Sequence, residues 1–238
     1  MNRRTFGGLV GSVALPSIAG CTASHPLPTP GGVVLARRVE AGSETLLDHD
    51  AERLEIDSPL SDLVERERAV LSEEAETTVR TDRGPIEYSV RIEHTEPTGL
   101  PEDPGDVVTY AVPRAVFNRV LPDDGVRFHL LLHDQSELLS VSRIDRVGRI
   151  TEKRVLDPDG EAVIASTTDG SIRDVAAAVE TSGIDPDDAT FFLLGEHGTD
   201  QLRDYEPVDR SVFESASAGE DRRLTVGSEG VVSAVGSV

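Results

Sequence analysis

Alternating hydrophobic and polar positions recur along the chain and predict a protein built mostly from β-strands. The clearest case is the segment 86–92, where four apolar residues alternate with polar ones. This period-2 pattern is typical of a strand with one buried face. Short apolar or alternating runs predict further strands at 33–35, 107–112, 126–134, 136–144, 149–156, 161–166, 189–194 and 231–235.

Helical spacing of apolar residues predicts a helix over 58–76. Ser58 is expected to cap this helix and Pro59 to occupy its first turn, where the missing amide proton has no cost. The apolar stripe of this helix comprises Leu60, Leu63, Val64 and Leu71. Residues 77–81 are then expected to form a strand that pairs with 86–92 across a turn.

A second helix is predicted over 171–183, because Ser171 and Asp174 form a capping box and Gly183 provides a stop. Pro113 opens a short third helix that reaches Phe117. Strands that follow one another directly, with helices inserted irregularly, favour an α+β fold over strict β-α-β alternation. We therefore expect a mostly antiparallel sheet, or sheets, with two to three helices.

The folded body is expected to span residues 33–238, which suits one domain or two small lobes. A loop at 96–106 contains three prolines and two glycines, so a division into two lobes is expected near 95–106. No repeat of 20 to 50 residues is recognised in the sequence.

The charge composition changes what this fold can be expected to bind. The 238-residue chain has 44 acidic and 23 basic residues and a formal net charge of −21, and its one lysine is Lys153. No basic stripe is available to contact phosphates, which argues against a nucleic-acid partner. An acidic chain that uses arginine almost alone as its cation resembles the proteins of halophilic archaea. That resemblance implies molar salt, which screens the repulsion between the carboxylates.

The first twenty residues have the build of an export signal. Two arginines precede a short, weakly apolar stretch rich in small residues. Arg3, Arg4 and Phe6 match the R-R-x-F core of twin-arginine signals. Residues 1–20 therefore resemble a twin-arginine signal peptide, and the resemblance implies a transient partnership with the twin-arginine translocase.

Cys21 ends this segment and is the only cysteine of the chain. The sequence Ser-Ile-Ala-Gly-Cys over 17–21 resembles a lipobox, although Ser17 stands where leucine is common. The resemblance implies cleavage before Cys21 and attachment of lipid to it. The proline-rich segment that follows, within 21–32, is expected to be an extended tether. We therefore expect a lipid-anchored protein on the extracellular face of the cell membrane.

Three histidines are the candidates for chemistry. His129 and His133 are four residues apart, as in helical zinc sites. Their segment has the pattern of a strand, however, and four residues of strand span about 13 Å, which is too far for one metal ion. His197 follows the buried strand 189–194 and could act as a general base.

No glycine-rich phosphate loop, nucleophile elbow, catalytic cysteine or complete calcium loop occurs in the sequence. We therefore expect no cofactor, no metal and no catalytic residue. The preferred function is a non-catalytic binding or interaction module with an envelope protein or another ligand as partner. The alternative is an exported hydrolase or metal-dependent enzyme that uses carboxylates with His129, His133 or His197.

Overall fold

The computed structural model describes residues 29–57, 60–61, 64–65, 69–96, 103–131, 134–159, 162–167, 179, 181, 183–185, 187–198, 202–219 and 221–238. These residues form a mostly antiparallel β structure with short helices, consistent with an α+β or a mostly β fold. The prediction of a mostly antiparallel sheet is confirmed.

The strands differ greatly in length, and one of them runs through most of the structure. They are β1 (Gly31–Ala41), β2 (Glu44–Asp50), β3 (Leu54–Ile56), β4 (Val64–Glu65), β5 (Val70–Leu71), β6 (Ile86–His94), β7 (Val107–Ala111), β8 (Gly125–Leu131), β9 (Asp134–Leu156), β10 (Ala162–Thr167), β11 (Thr190–His197), β12 (Leu202–Val208), β13 (Asp221–Gly227) and β14 (Val232–Ser237). The described helices are α1 (Glu73–Arg83), α2 (Arg114–Phe117) and α3 (Arg210–Ser215).

The sheet closes on itself twice. In the first ring, β1 pairs with β6, β6 with β7, β7 with β9, β9 with β8, and β8 with β1. In the second ring, β9 pairs with β11, β11 with β12, β12 with β14, β14 with β13, and β13 with β9. Each ring has one parallel contact, β7 with β9 and β12 with β14. The 23-residue strand β9 belongs to both rings.

The second ring repeats the plan of the first. Each begins with a long strand that forms a hairpin, β1 with β2 and β9 with β10, and each places a short helix between its third and fourth strands. The two short helices begin Arg-Ala-Val-Phe and Arg-Ser-Val-Phe, and the fourth residue of each is a buried phenylalanine, Phe117 and Phe213. Tyr88 lies 5.3 Å from the ring of Phe117, and Phe191 lies 5.2 Å from the ring of Phe213.

A buried cation completes each of these aromatic pairs. The guanidinium of Arg37 lies 5.0 Å from the centre of the Phe117 ring and donates a hydrogen bond to the carbonyl of Phe117. The ammonium of Lys153 lies 4.3 Å from the centre of the Phe213 ring and donates to the carbonyl of Phe213. The only lysine of the chain therefore holds the position in the second ring that an arginine holds in the first.

The structure corrects the helix predicted over 58–76. Its described residues include the two-strand pair β4–β5, with Ala69 at a φ of 48° in the turn, a backbone region that interrupts a helix. The backbone of Leu71 is hydrogen-bonded on both sides by the side-chain amide of Asn118, at 3.0 and 2.8 Å. These contacts hold 70–71 extended.

The helix in this region begins later, at Glu73. The hydroxyl of Ser72 accepts a hydrogen bond from the amide of Ala75 at 3.0 Å, so Ser72 is the N-cap. Acidic residues lie in the first turn of α1, arginines in its last turn, and Gly84 follows at a φ of 97°. The strand predicted at 77–81 is therefore wrong, since these residues are helical.

Other predicted elements agree with the structure where it describes them. The strands at 86–92, 107–112 and 189–194 and the short helix at 113–117 are confirmed within one to three residues at their ends. The strands predicted at 136–144 and 149–156 are one continuous strand, β9. The predicted helix over 171–183 lies almost entirely outside the described residues. Residues 95–106 connect β6 to β7, and the division into one domain or two lobes stays a prediction.

Candidate functional site

Most of the predicted site residues lie outside the described part of the chain. Arg3, Arg4, Phe6 and Cys21 precede its first described residue, and His133 falls between β8 and β9. The export, lipidation and two-histidine hypotheses therefore remain predictions. His129 is described and lies half-buried on β8, opposite Ser140 of β9.

His197 is buried rather than presented to solvent. Its side chain lies in the second ring with 4 % of the residue exposed, and its Nδ1 is 3.3 Å from the carbonyl oxygen of Val147. Burial, and then the nearby charge of Arg146, lowers the pKa of His197 to about 3. The imidazole is therefore neutral at physiological pH and is enclosed by the protein.

The position of His197 is explained by the repeat. His197 lies six residues after Phe191, and the buried His94 lies six residues after Tyr88 in the first ring. His94 Nε2 is 2.7 Å from the hydroxyl of Tyr110. Both histidines thus point inward at the end of the equivalent strand, which is a packing position.

The described residues contain no group of three or more His, Cys, Asp or Glu side chains arranged to hold a metal ion. None of the described helices is long and apolar enough to cross a membrane.

A shallow groove lies on the outer face of the first ring and is a candidate for a binding site. We call it the β1–β6 groove, and it has a volume of about 160 Å³. Its floor comes from adjacent outward-facing positions of four strands. The register places Asp48 of β2 beside Arg38 of β1, Ala36 of β1 beside Arg91 of β6, and Arg91 beside Thr109 of β7. Its lining residues are Ala36, Arg37, Arg38, Glu40, Asp48, Ser89, Arg91 and Thr109.

One end of the β1–β6 groove is an ion-pair cluster. Arg38 Nη2 lies 3.0 Å from Asp48 Oδ2, and Arg38 Nη1 lies 3.9 Å from Glu40 Oε1. The hydrogen bond to Asp48 is the main cause that raises the pKa of Arg38. The positive charge of Arg38 is therefore already matched by two carboxylates at this end.

Arg91, at the other end of the groove, differs from the arginine beside it. It is exposed, and its guanidinium makes no hydrogen bond or ion pair with any residue in the described ranges. Its neighbours across the strands are the small side chains of Ala36 and Thr109. An arginine with five free donors in a polar depression can bind an anion that enters from solvent.

Sequence reasoning did not identify Arg91. It is one of the polar positions in the alternation of 86–92, where an exposed charge is the ordinary expectation. Only the register with β1 and β7 shows that its cross-strand neighbours, Ala36 and Thr109, are small and uncharged.

Comparisons with protein-family models, with curated proteins and with solved structures found no match.

Proposed function

We propose that this chain is an exported, lipid-anchored envelope protein of a halophilic organism, and that it acts as a non-catalytic binding module through the β1–β6 groove. The export and anchoring parts rest on the twin-arginine resemblance of residues 1–20 and on Cys21. The observation that carries the binding part is the exposed guanidinium of Arg91, which lies in a depression of a paired sheet and makes no hydrogen bond or ion pair with the residues that the structure describes.

The groove supports binding better than the histidines support catalysis. A general base must come within hydrogen-bonding distance of a substrate proton. His197 is enclosed in the second ring, whereas Arg91 and Thr109 are open to solvent. β1 and β6 are each paired on both sides, so the groove rests on a rigid floor.

The anchoring part is tested with Cys21→Ser. A single acyl chain holds a protein only weakly, so stable anchoring implies two chains on this residue or a second attachment. The proposal expects the wild-type protein in washed membranes and Cys21→Ser in the medium. Retention of Cys21→Ser on washed membranes would contradict it.

The binding part is tested with a photo-crosslinking amino acid at position 109, on intact cells in molar salt. A matched probe at Glu74, an exposed position of α1, serves as the control. The proposal expects adducts at 109 that are absent at 74 and that disappear when Arg91→Gln is added. Equal labelling at both positions, or labelling at 109 that is insensitive to Arg91→Gln, would count against the groove as a binding site.

A further inference from the structure

The β1–β6 groove carries two kinds of polar group, and together they define a ligand class. Arg91 supplies one positive charge and hydrogen-bond donors that no residue in the described part of the chain uses. The opposite end supplies acceptors, the carboxylates of Glu40 and Asp48, which also hold Arg38. A complementary ligand therefore carries an anion at one end and hydroxyl donors at the other.

We propose that the groove binds an acidic saccharide, with a carboxylate of a uronic acid on Arg91 and ring hydroxyls facing Glu40 and Asp48. This inference rests on the binding function proposed above and names the ligand of that site. The planar guanidinium of an arginine matches a carboxylate through two parallel hydrogen bonds. The hydroxyls of Ser89 and Thr109 line the space between the two ends.

The charge of the surroundings favours a monoanion over a phosphate or sulfated polyanion. Glu40 and Asp48 lie within the groove itself. A dianionic phosphate gains one cation here but meets stronger repulsion from these carboxylates than a carboxylate does. A saccharide with one carboxylate per ring places a single negative charge in a groove that accommodates about one ring, and it carries many donors.

The shape of the site argues against a peptide. At about 160 Å³, the groove is smaller than the 300–1,000 Å³ of ordinary small-molecule pockets, so it accommodates about one ring of a longer ligand. A peptide that adds a strand needs an open sheet edge. β1 and β6, which form the floor, have partners on both sides.

The experiment measures binding of short oligosaccharides to the full chain in molar KCl by saturation-transfer NMR and titration calorimetry. The probes are a trigalacturonate, maltotriose as an uncharged trisaccharide, and inorganic phosphate. We expect trigalacturonate to bind and maltotriose to fail. Arg91→Gln should weaken trigalacturonate binding about tenfold or more, because a charge-assisted hydrogen-bond pair is lost. The control Arg210→Gln, which removes an exposed arginine that is paired with Glu214, should leave it unchanged.

Three outcomes would overturn the inference. They are no binding of trigalacturonate to the wild type, equal binding to Arg91→Gln, and displacement by equimolar phosphate, which would mark a general anion site. If any of these occurs while the crosslinks at position 109 persist and depend on Arg91, the ligand class fails and the binding function stands. If trigalacturonate does not bind and the crosslinks at position 109 do not depend on Arg91, the proposed binding function is contradicted as well.

Discussion

The guanidinium of Arg146 and the carboxylate of Asp124 form a buried, two-point ion pair between the two rings. Nε lies 2.9 Å from Oδ1 and Nη2 lies 2.9 Å from Oδ2, and the side chains are 3 % and 2 % exposed. Arg146 also donates to Glu206 of β12 at 2.7 Å. One arginine of the shared strand β9 therefore joins the segment before β8 in the first ring to a strand of the second.

Removal of one partner of this pair should be costly. Asp124→Asn leaves the charge of Arg146 buried with less compensation. It also weakens the 2.7 Å hydrogen bond that Asp124 accepts from the amide of Leu121, because the charged acceptor is lost. Breaking a buried pair in this way costs about 3–5 kcal/mol. We expect a loss of this size in the free energy of unfolding, measured with denaturant in molar KCl.

The matched control is Glu214→Gln, which removes an exposed ion pair with Arg210. Exposed pairs contribute about 0–1 kcal/mol. Equal effects of Asp124→Asn and Glu214→Gln would show that the buried pair does not join the rings in solution.

Lys153 provides a test of the repeat, because the equivalent position in the first ring is occupied by Arg37 and arginine is therefore the substitute expected to fit. Its ammonium donates to the carbonyls of Phe213 and Ala216, the latter at 2.9 Å. Lys153→Met keeps the length of the side chain but leaves both carbonyls without this donor, at a cost of about 1–3 kcal/mol. Lys153→Arg should be tolerated better, since Arg37 makes the equivalent contacts with Phe117. The unfolding free energies should rank wild type, Lys153→Arg, Lys153→Met, and a reversed order of the two variants would refute the equivalence.

The repeat also shows what could be predicted from the sequence. The strands 86–92 and 107–112 follow from apolar periodicity, because each buries one face against its own ring. The repeat does not follow in the same way, since the two halves share little sequence beyond the Arg-x-Val-Phe segments at Arg114 and Arg210 and the buried histidines His94 and His197. Arg37 and Lys153 make equivalent contacts in the two rings although they are different amino acids, so a comparison of the sequences does not align them.

The prediction of a helix over 58–76 is wrong for a different reason. Apolar residues at helical spacing predicted it, but the position of Leu71 is decided by a hydrogen-bonding partner 47 residues away, Asn118. The helix that forms is capped by Ser72, a position inside the helix predicted over 58–76. Arg91 is missed for a similar reason, because its neighbours belong to β1 and β7.

The two buried histidines His49 and His197 predict that the free energy of unfolding decreases in mild acid. Burial, and then the charge of Arg37, lowers the pKa of His49 to about 3, and burial lowers that of His197 to about 3. The unfolded chain binds protons at these residues below about pH 6.5, whereas the folded chain does not until about pH 3. Stability is therefore fully present above pH 6.5 and falls through this window, by about 2 kcal/mol per histidine at pH 5.

This pH dependence is measured as the difference between wild type and His49→Asn. The amide oxygen of asparagine can replace Nδ1 as the acceptor from Arg37 Nε, a bond of 3.0 Å, without titrating. The free energy lost between pH 8 and pH 5 should be smaller in His49→Asn. An identical loss in both proteins would mean that His49 does not remain neutral in the folded state.

The excess of acidic residues predicts that the fold depends on salt. At about 1 M salt the Debye length is about 3 Å, and at about 0.1 M it is about 10 Å, so repulsion within a chain of net charge −21 grows on dilution. We expect the melting temperature to fall as KCl is diluted below about 0.1 M. An unchanged melting temperature at low salt would contradict the halophilic adaptation.

The imidazole of His197 in β11 packs against the backbone of Gly148 in β9 and fills the space that a side chain at Gly148 would need. A Cβ atom at Gly148 would lie 2.2 Å from His197 Nδ1 and 2.4 Å from its Cε1. Gly148→Ala should therefore destabilise the fold by about 1–3 kcal/mol through overpacking. Gly125→Ala is the matched control, because its nearest contacts, to Asp145, are at an ordinary 3.6 Å.

The double variant Gly148→Ala, His197→Ala separates this clash from a general intolerance of the strand. His197→Ala alone leaves a cavity, whereas an alanine at 148 in that background meets no imidazole. The two changes should therefore couple, with the double variant more stable than the sum of the single losses predicts by about 1 kcal/mol or more. Additive losses in the denaturant midpoints would show that the ring of His197 does not pack on the backbone of Gly148.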